Sequence, residues 1–318
     1  MDTKPVSYGW SVAEPFSGAI VNDAVYGHGI MDMKAALACQ IAAIEAVLKS
    51  NVDLSGTLAM AAVSDHMGDQ SGSIRYFAAR PPDLCVLGEL TNNQVCLGHR
   101  GRYYFDVTVR GRSAHSCHKH DAVNANVLAA QAVLALDASR LEPDLEPWIV
   151  DLFGPETFVV PGRIFGGLPP GGPSMIPDEC VIRVDCRPQP TVTIDQARAE
   201  IDRCLAAAAA ADERFSADVT VADVKAGYLA NPQDEVVQIM AEAVRHVRGE
   251  APRLIVENWL GDTSSFGDRV PTVIFGPGGP PVYCPDEHLP VEDIVEAAQV
   301  YAAFGAIALM PDTPDGSA

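Results

Sequence analysis

Apolar residues in this chain hold one pattern, lose it, and regain it, and that interruption constrains the fold more than any other feature. Residues 32–49 (DMKAALACQIAAIEAVLK) carry apolar side chains at helical spacing behind a leading acid, which predicts a helix. Residues 57–64 (TLAMAAVS), and residues 83–88 (DLCVLG) after the Pro81-Pro82 breaker, read as buried strands. Such alternation predicts an α/β sheet. At Gly98 the texture changes. Residues 102–111 alternate as a half-exposed strand, a helix follows over about 121–137 with Asp121 as its N-cap, and strands fit 158–165 and 179–187. Thr193 and Gln196 form a capping box that opens a helix over 194–211, and a strand fits 216–224. After Gly227 the first texture returns, with a helix at 233–248 stopped by Gly249, strands at 253–257 and 271–275, and a helix at 291–309. The reading is an α/β domain interrupted by an inserted α+β domain: residues 1–98 and 226–310 form the outer domain, 99–225 the insert, and 311–318 a disordered tail.

Length and composition agree with that division. A chain of 318 residues exceeds one ordinary core. Hydrophobic content of 48% and charged content of 20% are those of a soluble globular protein. There is no apolar run of the roughly 18 residues a membrane helix needs, and the stretch from Met1 to Pro5 has no apolar leader, so the expectation is a cytoplasmic protein. A net charge of −20 argues against nucleic acid and anionic membranes as partners and leaves a small-molecule substrate. The eight cysteines form no C-x-x-C pair and sit mostly in apolar segments, which predicts free thiols rather than a disulfide framework.

Several motifs stand in one order along the chain. Trp10, Pro15-Phe16 and Tyr26-Gly27-His28-Gly29-Ile30-Met31-Asp32-Met33-Lys34 come first; Gly88-Glu89-Leu90-Thr91 and Gly98-His99-Arg100-Gly101 follow. Then come Gly111-Arg112-Ser113-Ala114-His115-Ser116, Val123-Asn124-Ala125, Ile176-Pro177-Asp178, Asp185-Cys186-Arg187, Gly276-Pro277-Gly278 and Asp286-Glu287-His288. A single match of this kind is weak, but the ordered set resembles the metallopeptidase family of acetylornithine deacetylase, succinyl-diaminopimelate desuccinylase, aminoacylase-1 and carboxypeptidase G. His28 stands where that family usually has arginine. The resemblance implies a zinc-peptidase-like catalytic domain, a mixed sheet between helices, interrupted by a lid domain that mediates homodimerisation. It also implies hydrolysis of amide bonds in acylated amino acids and small peptides by two neighbouring metal ions.

The chain departs from that family at the metals. Asp32 and Glu89 match two ligands of the first ion. The opening Met1-Asp2-Thr3 resembles the residues that follow the family's ligand histidine, so the resemblance expects that histidine just ahead of Met1, a start codon set late rather than a true truncation, and Asp2 as the acid that orients it. For the second ion, the ligand glutamate reads Met67 and the C-terminal histidine reads Tyr283, both poor ligands for a hard or borderline cation. One divalent ion is therefore expected, zinc first and manganese or cobalt as alternatives. The family's general base reads His66, which has three readings: a base whose ordinary pKa near ~6.5 needs no tuning, a metal ligand, or a polar residue in a dead site.

In the insert, His115 matches the lid histidine that reaches a neighbouring subunit's site and holds the oxyanion, and Asn124 and Arg187 match substrate binders, with Arg187 suited to a carboxylate. Tyr283 is expected to face substrate, and Asp65 is read either as an orienting acid or as a turn cap. Cys117, His118 and His120 crowd one loop, where ligand-like spacing alone is weak support for a second metal site. Gly261-Asp262-Thr263-Ser264-Ser265-Phe266 replaces a GGTDA-type loop that lines the family's pocket. The expectation is a metal-dependent hydrolase of a C–N bond in a small molecule such as an N-acyl amino acid, with one metal and His66 as base; the altered base and pocket argue against a standard N-acetyl or N-succinyl amino acid and leave open a C–N bond on, for example, an aromatic or heterocyclic compound. The rival reading is a dimerising, ligand-binding relative without catalysis.

Overall fold

A computed structural model describes residues 4–167 and 174–311. Asp2, the Gly171-Gly172 pair and nearly all of the expected tail lie outside the described residues. Two compact units divide the chain: Met1–Gly98 with Tyr228–Glu257 and Gly261–Ala318, and His99–Gly227 with Asn258–Leu260.

In the first unit the strands Tyr228–Leu229, Val95–His99, Thr272–Phe275 and Cys85–Gly88 lie side by side in that order, and Leu254–Glu257 also pairs with Val95–His99. Thr272–Phe275 runs parallel to Cys85–Gly88 and antiparallel to Val95–His99, so the sheet is mixed. Val95, Cys96, Leu97, Val273, Ile274 and Phe275 are fully buried, as central strands of a covered sheet require. Helix Val291–Ala308 packs on both Ala35–Lys49 and Glu235–Arg248, and a small antiparallel sheet joins Ile20–Val21, Ala24–Tyr26 and His288–Pro290.

The second unit is built on a four-stranded antiparallel sheet in the order Ser216–Lys225, Arg102–Arg110, Glu179–Arg187, Phe158–Gly166, with a small pair Ala114–His115 and Met175–Ile176 beside it in sequence. Its period is strict. Tyr103, Phe105, Val107 and Val109 alternate inward, as do Cys180, Ile182, Val184 and Cys186, and helices Ala125–Asp137 and Ile194–Ala211 cover that face. Each fully buried aliphatic or aromatic side chain there contributes roughly 1.5–3 kcal/mol.

Local signals resolve in three ways. The capping box forms as the sequence predicts: Thr193 Oγ1 accepts from Gln196 N, and the Gln196 side chain accepts from Thr193 N. Gly249 closes its helix at φ 80°, a left-handed value glycine adopts without strain. Other expectations are corrected. The helix expected from 32 begins at Ala35, because Asp32 and Met33 have non-helical backbone in the turn Ile30–Lys34. The helix expected from 121 begins at Ala125 and is capped by Asn124, whose Oδ1 accepts from Asn126 N at 3.0 Å; Asp121 ends a separate 3₁₀ turn, Ser116–Asp121. Residues 57–64 form no strand, since among the described residues none pairs with them, and they are exposed or half-buried throughout.

Candidate functional site

The site is built in the first unit, around a cavity of about 290 Å³ whose lining includes Asp32, His66, Glu89 and Asp262 amid apolar side chains such as Leu37 and Val63. Glu89 follows the buried strand Cys85–Gly88 and is 6% exposed. Asp32 sits on the turn before the helix Ala35–Lys49. Its approach is fixed by a residue far along the chain: buried Glu287 accepts from Gly29 N at 3.1 Å and from Met31 N at 3.0 Å. Lys34 Nζ donates to the His28 carbonyl at 2.6 Å, closing the same turn from below. His28 itself is buried and meets the Lys4 carbonyl through Nε2 at 2.8 Å.

In this poorly solvated pocket a neighbouring acid disfavours the charge of Glu89. Burial first, then the Asp32 carboxylate, holds Glu89 well above the usual carboxylate range, while His66 pulls the other way. His66 is pushed up to about 9, chiefly by its bond to Asp262 against an opposing effect of burial, with Glu89 and Asp32 adding. This corrects the expectation of an untuned imidazole. With the acids unneutralised, the ring is an imidazolium at neutral pH; a cation among the carboxylates would lower it toward a working base.

Tyr283 stands with φ 59° and donates its hydroxyl to Asp32 Oδ2, so its first partner is a proposed metal ligand. Burial and that bond raise the phenol well above its ordinary range, so it stays protonated. Asp65, at φ 71°, takes Ser71 N at 3.2 Å and Ser71 Oγ at 2.7 Å on Oδ2, which is the geometry of a turn cap at the start of helix Ser71–Ala79.

The remaining sequence-derived residues lie in the second unit. His115 is exposed, with Nδ1 3.0 Å from Cys117 Sγ. Asn124 caps its helix. Arg187 holds Asp185 through Nε at 2.8 Å and Nη2 at 3.0 Å, the two residues projecting from one face of their strand.

Three residues were not assigned from sequence. Asp262 was seen only as part of a loop, yet it faces His66; Ser73 supports Asp262; Glu287 clamps the Asp32 turn. One signal was legible: an acid stands in a motif position where the resembling family has glycine.

Two carboxylates lining one pocket, with Glu89 held above its ordinary range and an imidazole beside them, suit a divalent cation in charge and donor type. Asp32 and Glu89 would hold it. Among the described residues no group of three His, Cys, Asp or Glu side chains is arranged to hold a metal ion, which also leaves the Cys117–His120 loop without support as a second metal site.

Comparison with known proteins agrees with the ordered motifs. The model of "Peptidase family M20/M25/M40" matches residues 1–306. The chain is similar to succinyl-diaminopimelate desuccinylase of Gluconobacter oxydans, 30% identical over 314 residues covering 95% of this chain and 78% of that protein. It is also similar to the protein of that name from Methylorubrum extorquens, 30% identical over 307 residues covering 90% and 75%. In fold it resembles the M20 family metallo-carboxypeptidase Sso-CP2 from Sulfolobus solfataricus, with TM-score 0.73, 17% identity and coverage of 96% and 83%. It likewise resembles aminopeptidase PepT from Bacillus cereus, with TM-score 0.71, 20% identity and coverage of 91% and 76%. Motif order, mixed-sheet fold and family match converge, and the chain belongs to peptidase family M20/M25/M40.

Proposed function

We propose that this protein hydrolyses the amide C–N bond of a small N-acylated amino acid, using one divalent ion held by Asp32 and Glu89, with zinc the first candidate. Family membership implies a divalent metal, and the relatives named above are amide hydrolases by name, which disfavours a purely ligand-binding role. The observation that carries the reading is the meeting of Asp32, Glu89 and His66 at one cavity, with Glu89 held above its ordinary range by burial and by Asp32. A divalent ion bound there would polarise the scissile carbonyl and acidify a water. His66 accepts the proton of the attacking water and returns it to the leaving nitrogen. Tyr283, bonded to Asp32 and lying where a second ion would need a stronger ligand, keeps the site to one ion.

The second unit is the lid in this proposal. Among the described residues its outer strand Phe158–Gly166 pairs along one edge only, Val160, Ile164 and Phe165 are exposed, and Leu134 of the neighbouring helix is 72% exposed, which favours pairing of two copies along that side. His115 from one copy would then serve the oxyanion in the other, with Asn124 and Arg187 turned to substrate after Arg187 exchanges Asp185 for a carboxylate. Eight free cysteines favour the reducing cytoplasm as the place of action, and no helix among the described residues is long and apolar enough to cross a membrane.

The test is metal binding and turnover together. With a panel of N-acyl amino acids and added Zn²⁺ or Mn²⁺, the wild type is expected to hydrolyse at least one member. Asp32→Asn and Glu89→Gln should each lose metal affinity by about 100-fold or more, as calorimetry reads it. Undiminished metal binding in both variants would refute the assignment.

A further inference from the structure

Asp262 is 3% exposed and commits both carboxylate oxygens to side chains: Oδ1 meets His66 Nδ1 at 2.6 Å, and Oδ2 accepts from the Ser73 hydroxyl. The partners come from distant parts of the chain, 196 and 189 residues away. Their carriers are locked together. Ser73 lies in the first turn of helix Ser71–Ala79, and Asp262 precedes helix Thr263–Phe266. Phe77 of one stacks on Phe266 of the other, centroids 3.7 Å apart and planes 16° from parallel. Gln70 braces the same junction, donating to the Gly261 carbonyl and accepting from Ser264 Oγ at 2.7 Å. The aspartate is therefore held in place and in rotation.

A neutral imidazole carries one proton, and a carboxylate can only accept. Asp262 thus keeps the proton on Nδ1 and leaves the lone pair on Nε2, at the opposite edge of a ring that lines the cavity shared with Asp32 and Glu89. Asp32 and Glu89 line the same cavity without bonding Nδ1; the buried, doubly bonded Asp262 is the carboxylate that gives the ring its direction.

We propose that Asp262, braced by Ser73, is the positioning residue that fixes His66 in the Nδ1–H tautomer and presents Nε2 to the attacking water. The inference rests on the hydrolytic reading above. As the water oxygen bonds to the carbonyl carbon, Nε2 takes its proton and Asp262 holds the resulting imidazolium. Nε2 then gives that proton to the amine nitrogen as the C–N bond breaks, and Asp262 itself gains no proton.

The experiment pairs nuclear magnetic resonance with kinetics on the full chain. The ¹⁵N signals of His66, assigned through His66→Gln, are read at pH about 10, where a ring titrating at about 9 is mostly neutral. Wild type is expected to show the Nδ1–H tautomer. Asp262→Asn, whose amide donates to Nδ1, is expected to show Nε2–H, with kcat down about 100-fold or more and KM within about twofold. Ser73→Ala, a milder change that keeps Asp262, should lower kcat about three- to tenfold with the tautomer mixed. Retention of Nδ1–H and of kcat in a folded Asp262→Asn overturns the proposal. A tautomer change as expected in a protein that hydrolyses nothing instead overturns the hydrolytic reading and leaves the ring assignment supported.

Discussion

Replacing Arg100 with methionine should destabilise the second unit by about 2–4 kcal/mol. Arg100 is 1% exposed and has no carboxylate partner in hydrogen-bond contact. Its guanidinium instead donates to the Phe153 carbonyl at 2.6 Å, Asn258 Oδ1 at 2.7 Å, the Glu156 carbonyl at 3.0 Å and the Arg187 carbonyl at 3.1 Å, and lies 4.3 Å from the Phe158 ring centroid. Methionine fills similar volume but removes the donor of all four bonds; the Glu156 carbonyl keeps Gln189 Nε2 at 3.0 Å, and each acceptor left without a donor costs about 1 kcal/mol at the low end. Relief of the buried charge returns part of that loss, since burial already pulls the guanidinium below its ordinary pKa. Arg100→Lys should be nearly as damaging, because three donors on one atom cannot reach acceptors spread around a planar fork. Urea unfolding followed by circular dichroism reads both variants. A loss under about 1 kcal/mol for methionine would refute the view that these bonds fasten Asn258–Leu260, 153–156 and the end of the strand Glu179–Arg187 to one another.

The double change Met67→Glu with Tyr283→His supplies two ligands of the kind the second ion lacks, and metal content by mass spectrometry should rise from about one toward two per chain. Because Glu89 is raised, it is largely protonated at neutral pH in the metal-free protein, so metal must displace that proton. Affinity should therefore increase with pH, and calorimetry in buffers of different ionisation enthalpy should detect proton release. Glu200 runs the other way: bonds from Arg203 first, then Ser139 and Arg140 N, hold it at about 2. Its contribution, on the order of 2 kcal/mol, is fully present above the unfolded value near ~4.3 and is lost as pH falls toward 2. Glu200→Gln should unfold in less urea than wild type at pH about 6, and the gap should narrow at pH about 3.

The features legible in the sequence were those whose cause is local. The alternation of 102–111, the Thr193–Gln196 box and the Gly249 stop each satisfy backbone and burial within a few residues, and they appear in the structure as read. The start at Asn124 rather than Asp121 depended on a competition between two neighbouring acceptors, decided by the turn Ser116–Asp121. Residues 57–64 have the composition of a strand, but a strand is a relation to a neighbour, and no pairing is present. In the site, Asp32 and Glu89 were visible through motif order, whereas the His66–Asp262 bond spans 196 positions and leaves no periodic trace. The tuning of His66 followed from that unseen partner, so an ordinary imidazole was the wrong expectation.

The Glu287 clamp sets a condition on how the site comes into being. The amides it captures, Gly29 and Met31, precede it by 258 and 256 positions, so the turn that carries Asp32 is completed by a segment made long after the turn itself. Such a long closure is a slow, late event in folding. A nascent chain halted before residue 287 would carry its metal-seeking aspartate on an unfastened loop, and competence to bind the ion would arrive only once that glutamate had emerged and docked.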